Sequence, residues 1–403
     1  MKRTFRLLFS FLLCSLFTLI GCSEKPGPEP APGPGPKPGS DPEIVIDGPA
    51  SRDIGVEGGS VVLRFTSNRD WKASSDKRWA QVSPDSGPES ETPATVTVTC
   101  ESNPDTKART AKITLTAGDL SRTVTLTQAE FVIETKIEIT PAALTLRLGE
   151  QYQLTATVFP ENATDKSFRW SCYDRCAEVS ETGMVTALEV GEARVKAETA
   201  RLYRFCTVTV KHRKPDAVDM GLSVKWGSHN IYTNSPGQFP VLIPWGVVDS
   251  FPTTCSWDSY KWGTRDNLQK YNKKDGLTRL EAADDAATAD LGDGWRLPTK
   301  ADFEELLATR GKSDYAWEWV SHDGTDGWRI TWKKNGNSIF LGAFGVCENN
   351  VIGMQYHEGN YWSCERDAAD ETKAFQLHFS SEEVTLRTAD RITGSTFRPV
   401  YIE

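Results

Sequence analysis

The sequence predicts a multidomain chain, two all-β sandwiches in series followed by an α+β domain. Three observations lead there. Residues 43–130 and 131–212 are built from short segments in which apolar and polar residues alternate, separated by Gly, Pro, Asn and Asp turns. Residues 216–403 change texture, since ten of the thirteen tryptophans and the helical patterns lie there. A chain of 403 residues also exceeds what one ordinary core organises.

The chain opens with an export pattern. Lys2, Arg3 and Arg6 precede an apolar run from Leu7 to Ile20 that is short for a membrane span. It ends Leu19-Ile20-Gly21-Cys22, which resembles the lipobox of bacterial lipoproteins. The resemblance implies removal of residues 1–21 as a signal peptide and lipidation of Cys22, making the membrane a partner through a lipid anchor. Three acyl chains give an essentially permanent attachment. Ser23 after the cysteine fits an outer-membrane lipoprotein, at the cell surface or on the periplasmic face. Residues 22–42 are so rich in Pro and Gly that they bury no core and read as an extended tether.

A net charge of −9, with no basic cluster beyond the leader, excludes a nucleic-acid partner. Seven cysteines follow Cys22, an odd number, so an exported chain leaves at least one unbonded or bonded between chains. No Cys-x-x-Cys pair and no Cys/His cluster occurs, so neither a metal nor a cofactor is expected.

In residues 43–130, Val61, Leu63 and Phe65 share one strand face, and 94–100, 112–116 and 123–127 alternate strictly. Gly58-Gly59-Ser60, Ser67-Asn68 through Trp71, Trp79 with Val82-Ser83-Pro84, Gly87, Asn103 and Leu126-Thr127-Gln128 together resemble the BACON domain family. That resemblance implies carbohydrate or mucin binding. Trp71 and Trp79 are nevertheless read as core residues, because buried aromatics dominate small β cores.

In residues 131–212, Leu144, Leu146 and Leu148 alternate, and a second run follows over Tyr152, Leu154, Ala156 and Val158. Trp170, Gly183-Met184-Val185-Thr186-Ala187 and Thr207-Val208-Thr209-Val210 are similar to the bacterial immunoglobulin-like group 2 domain, which implies a rigid spacer. An antibody-type inter-sheet disulfide is not supported, because residues 151–159 hold no cysteine. Cys172 with Cys176 or with Cys206 stay open as pairs.

After a polar linker at 213–217, helices are expected over 280–291 and 299–307. Thr299 is the N-cap of the second helix, with Asp302 completing a capping box and Phe303, Leu306 and Leu307 forming its apolar stripe. Asp219 to Trp226, Pro244-Trp245-Gly246, Gly294 to Thr299, Asn335 to Leu341, Tyr361-Trp362-Ser363 and Phe397-Arg398-Pro399-Val400 resemble the Fibrobacter succinogenes major paralogous domain. The resemblance implies a C-type-lectin-like fold for residues 216–403. Cys347 and Cys364 depart from that family's pattern and are the expected disulfide, with Cys255 as an alternative partner.

Candidate sites are few. The calcium-binding phrases of C-type lectins are absent, and Asp284, Asp285, Asp290 and Asp293 are read as caps and solvated residues around the first helix. Arg296-Leu297-Pro298-Thr299 also resembles a segment of formylglycine-generating enzymes, whose Arg-Gly-Gly-Ser-Trp phrase is missing here. Isolated histidines and the absence of Gly-x-Ser-x-Gly leave no catalytic residue to nominate. Trp317, Trp319, Trp328, Trp332 and Trp362 are the candidate ligand-binding residues, as indoles that could stack on sugar rings, against the competing reading of a Trp-rich core. The expected function is therefore non-catalytic, with the terminal domain presented for binding a glycan or a cell-surface protein, that is, for adhesion. The alternatives are an enzyme, formylglycine-generating-like or glycan-active, and a purely structural envelope protein.

Overall fold

The computed structural model describes residues 41–248 and 254–403, in two compact units that divide after Phe131. The leader, Cys22 and nearly all of the tether lie outside the described residues. Strand accounts for 47% of the described residues and helix for 5%, so they are mostly β.

The first unit is a two-sheet sandwich. One sheet orders Ile44–Ile46, Gly59–Ser67, Ser90–Cys100 and Ala80–Ser83. The other orders Ser51–Ile54, Leu120–Gln128, Arg109–Ala117, Trp71–Ser75 and Ser86–Gly87. Alternation places Leu63, Val98, Ile113, Val124 and Leu126 on the facing sides, all fully buried. Trp71 is a core residue, edge-on to Phe65 at 5.0 Å. It fits because residue 87 is Gly, where a Cβ would fall 2.5 Å from the indole. Trp79 is half-buried under the Arg109 guanidinium, 4.3 Å above its ring. Two buried amides fasten the loops at one end. Gln128 donates to three carbonyls and accepts from Arg109, and Asn103 donates to Lys107 and Ala129.

The second unit begins with another sandwich, centred on Val185, Val195, Ala197, Cys206 and Val208. Ala143–Arg147 runs parallel to Tyr203–Lys211, and that sheet continues through Gly191–Glu198 to Arg169–Cys172. The expected strand over 151–159 is split. Gln151–Gln153 pairs with Met184–Ala187, whereas Thr155–Phe159 pairs with Lys136–Thr140. Leu154 between them is buried and its N–H bonds the Gly183 carbonyl, so the chain changes sheets at an anchored residue.

Residues 217–403 have two cores. One gathers Trp226, Phe303, Leu306, Ile330, Phe344, Tyr361 and Phe379, and the other Trp245, Tyr271, Trp295, Leu297, Trp362, Cys364 and Phe397. Two three-stranded antiparallel sheets hold most of its strand residues. Tyr315–His322, Thr325–Trp332 and Ser338–Gly342 form one, and Gly359–Arg366, Lys373–Phe379 and Val384–Asp390 the other. Near the chain end, Val400–Tyr401 pairs with both Lys225–Gly227 and Trp295–Arg296, closing the domain on its own beginning.

Helix is scarcer than an α+β class implies. The helix expected over 280–291 is only α1 (Ala286–Leu291), because the residues before it are used elsewhere. Arg279 bridges to Glu365, the Leu280 N–H bonds the Cys364 carbonyl, and Asp285 is the N-cap. Asp285 therefore caps the helix from the position before it, while Asp290 lies within its last turn. The second helix, α2 (Lys300–Leu307), starts where expected, with the Thr299–Asp302 capping box formed.

The joint between Trp295 and Leu307 spans both cores. Trp295 and Leu297 enter one, and Phe303 and Leu306 enter the other. Arg296 ties the two halves through Nη1, 2.6 Å from the Asp302 carboxylate. The Pro298 carbonyl accepts from the Cys364 N–H at 2.7 Å.

Candidate functional site

The most distinctive surface of the terminal domain is a small hairpin and the turn after it. Val346–Glu348 pairs with Val351–Gly353 through a two-residue turn at Asn349 and Asn350, with φ of 48° and 65°. Asn tolerates the left-handed region, and a turn with both central residues there matches the twist of a hairpin. Asn350 Oδ1 in turn accepts the Cys255 N–H at 2.7 Å. Beyond the hairpin, Met354 and Tyr356 also take positive φ, 57° and 68°, which costs energy for bulky side chains. Backbone bonds hold them there: Tyr356 N–H to the Ala343 carbonyl, and His357 and Glu358 N–H to the Met354 carbonyl. Gly345 is needed at the base, because with φ of 77° a Cβ would meet the Gly353 carbonyl at 2.2 Å.

The result is an apolar tip. Val351 is 68% exposed, Met354 51%, Tyr356 50% and Ile352 46%, four large apolar residues within six positions. Four exposed apolar side chains clustered in sequence on and beside a supported, strained turn are the feature of this domain that most resembles a recognition surface. The tip was missed in the sequence, although Asn349-Asn350 followed by an apolar run was the available signal.

The tryptophans are placed differently from one another. Tyr315, Trp317 and Trp319 face Trp332, Ile330 and Trp328 across the strand pair, so all of them share one face, as the spacing implied. That face packs inward. Trp328 is buried, with Trp317 and Trp319 edge-on at 6.0 and 5.5 Å and Arg310 over its ring at 5.3 Å. Its N–H donates to the Ser380 carbonyl and that of Trp317 to the Thr309 hydroxyl. Trp332 is half-buried, stacked on Tyr315 and packed over Gly221. Trp362 is fully buried and donates to the Ile243 carbonyl, so as a candidate ligand contact it is corrected to a core residue. The even spacing that aligned these indoles also let them cover one another, which is how a thin sheet builds a core.

The expected Cys347–Cys364 bond is also corrected. Cys347 belongs to one core and Cys364 to the other, and the two are not bonded to each other. Cys347 lies instead beside Cys255. In the second sandwich, Cys206 is buried in the core while Cys172 and Cys176 are half-buried. Burial pushes the Cys364 thiol up to about 12, which removes its thiolate from neutral-pH chemistry.

The acidic residues are occupied. Asp285 accepts from the Ala287, Thr288 and Leu297 N–H groups, and burial still pushes its carboxyl up. Burial acts to raise Asp284 as well, but hydrogen bonds from Lys270, Tyr271 and Lys261 outweigh it and hold the carboxyl below its usual range. Asp290 meets Arg147 and Lys211 of the preceding sandwich at 3.3 and 3.0 Å. Among the described residues, no group of three His, Cys, Asp or Glu side chains converges as a metal site would. Two buried arginines are structural hubs. Arg391 donates to Tyr260 and to the carbonyls of Lys270, Tyr271 and Glu371, and Arg398 to those of Gly227 and Phe340.

Comparison with known proteins places two of the modules. Residues 69–129 match the family model of the BACON domain, an N-terminal domain ascribed a binding role, and residues 134–200 match the bacterial Ig-like domain, group 2. The chain is similar to two uncharacterized proteins of Clostridium acetobutylicum. One is 36% identical over 105 residues, 25% of this chain and 26% of that protein. The other is 35% identical over 83 residues, 20% of this chain and 9% of that protein. The chain thus spans about a quarter or less of the length of these relatives. Among solved structures, a Bacteroides ovatus GH5 xyloglucanase in complex with a XXXG heptasaccharide aligns with a TM-score of 0.21 at 17% identity, over 26% of this chain and 22% of that one. Domains 4 and 5 of the S-layer protein SbsC align with a TM-score of 0.23 at 12% identity, over 35% of this chain and 75% of that one. BACON and Ig-like domains are non-catalytic binding or structural types, and they fit a surface or binding protein with β-sandwich spacers.

Proposed function

We propose that this is a lipid-anchored outer-membrane protein, held through Cys22, whose β-sandwich modules present a C-type-lectin-like terminal domain for adhesion. The observation that carries the binding role is the exposed apolar tip at Val351, Ile352, Met354 and Tyr356. Its chemistry favours a protein ligand over a glycan. Sugar stacking needs a free indole face flanked by unspent hydrogen-bonding groups, and the indoles of Trp317, Trp328 and Trp362 already spend their N–H groups inside the domain. Aliphatic side chains held out on a pre-organised turn instead suit burial against another protein.

The test uses residues 23–403 as a soluble chain, on a glycan array and against extracts of surface proteins. Capture of a defined protein that is lost in the Val351→Ser/Tyr356→Ser variant, with its Tm unchanged, is the expected result. Glycan binding that survives this variant and is lost on Trp319→Ala would move the site to the indole face. Absence of any ligand in both formats would leave the purely structural reading.

A further inference from the structure

The base of the apolar tip holds a second feature. Cys347 lies in the first strand of the hairpin, and its N–H and carbonyl both bond Gly394, at 2.9 and 2.8 Å. Cys255 reaches the same glycine from the segment after residue 253. A Cβ placed on Gly394 would fall 2.6 Å from Cys255 Sγ and 2.7 Å from Cys347 Cβ. Both cysteines therefore converge on the space left by one missing side chain, with their side chains in contact. The backbone of Cys255 is also fixed to the hairpin, through its N–H to Asn350 Oδ1.

We propose that Cys255 and Cys347 form a disulfide that fastens the apolar tip to the segment around residue 255. The proposal rests on the export reading for an oxidising compartment. The remaining cysteines do not compete for these two. Cys364 sits in the other core, Cys100 is buried in the core of the first sandwich, and Cys172, Cys176 and Cys206 belong to the second.

The chemistry is exchange with an external disulfide, either a low-molecular-weight disulfide or that of an oxidase protein. One thiol loses its proton and attacks a carrier sulfur, which releases the carrier's other sulfur as a thiol. The second cysteine, also deprotonated, then displaces the first carrier sulfur from the mixed disulfide. Two electrons and two protons pass to the carrier, which leaves as two thiols. In the folded thiol form, burial and the neighbouring Cys347 thiol push Cys255 up to about 12, so the attack by Cys255 that the bond requires is slow once the core has closed. The bond accordingly forms during folding and afterwards acts as a permanent staple. Its effect is to pre-organise the tip, reducing the ordering that ligand binding would otherwise require.

The experiment is peptide mapping of the exported mature chain, unfolded and alkylated without reductant. A linked peptide pair carrying Cys255 and Cys347, with Cys364 alkylated, is expected. Refolding the reduced chain with oxidised glutathione should produce the same pair. Alkyl groups on both residues in both preparations, or linkage of Cys347 to a different cysteine, would overturn the proposal. On the linked chain, unfolding and refolding with reductant should lower Tm by roughly 5–10 °C and speed amide exchange across residues 349–356, whereas unchanged exchange there would remove the pre-organising role. The mapping needs no variant and no ligand, so a linked pair in a chain that captures no partner sinks the adhesion reading and leaves the bond intact.

Discussion

Asp302 shows how much a single side chain contributes to the terminal domain. Its carboxylate accepts from Arg296 Nη1 and from the N–H and hydroxyl of Thr299, at 2.6, 2.6 and 2.7 Å. Burial acts to raise its pKa, but these hydrogen bonds, Arg296 foremost, hold it below the usual carboxylate range. A carboxyl lowered in the folded state stabilises above its unfolded value of about 4 and loses that contribution as pH falls through the folded value. Asp302→Asn should therefore flatten the loss of stability between neutral pH and pH 3, measured by urea denaturation across that range, while lowering stability at pH 7. An unchanged acid slope would show that the carboxylate is not the group being titrated.

At the scale of elements, the short helices depend on their caps. An eight-residue helix is too short to stand by itself in water, so α2 rests on its capping box and on the burial of Phe303 and Leu306. Thr299→Ala should cost about 1 kcal/mol in equilibrium unfolding, because the Asp302 N–H at the helix start loses the Thr299 hydroxyl that accepts it. The hairpin at 346–353 is local in the same sense, since Asn349-Asn350 supplies the turn. Its exposure is not local, because it depends on no element of the described residues packing over Val351 and Ile352. The same distinction explains the first half of the region read as helix over 280–291. Its pattern suited a helix, yet Arg279 and Leu280 were taken by the strand at Gly359–Arg366. Tertiary pairing overrode a weak local preference.

Across the second unit, the sandwich and the terminal domain are joined by more than the linker. Arg147 and Lys211 bracket Asp290, Arg147 also donates to the Asp290 carbonyl, and Lys214 donates to the Leu291 carbonyl. The Asp290 side chain is 7% exposed, so this is a partly buried contact between modules and less screened than a surface pair. Asp290→Ala leaves two cations facing a neutral site and should free the domains to move about residues 212–216. Faster cleavage of that segment in limited proteolysis, with little change in the Tm of either module, is the expected outcome. Unaltered cleavage would show that the linker alone sets the orientation.

What the sequence determined by itself was whatever depends on local periodicity and backbone chemistry. The period-2 alternation of 94–100 and 123–127 defined strands, the Thr299–Asp302 pair defined a helix start, and the strand face shared by Leu63 and Phe65, both fully buried, was legible before any contact was known. The tertiary structure alone decided which side chains meet. Cys347 and Cys364 are closer in sequence than Cys347 and Cys255, yet the sheet order puts the first pair in different cores and the second pair across one glycine. Trp362 and Val351 show the same division in their exposure. Indole and isopropyl groups both favour burial, but only the packing of the whole domain determines which of them the protein can cover. The indole is enclosed, whereas the valine, in the second strand of the hairpin, is left exposed by the described residues, because solvent exposure is a property of the neighbours as much as of the residue.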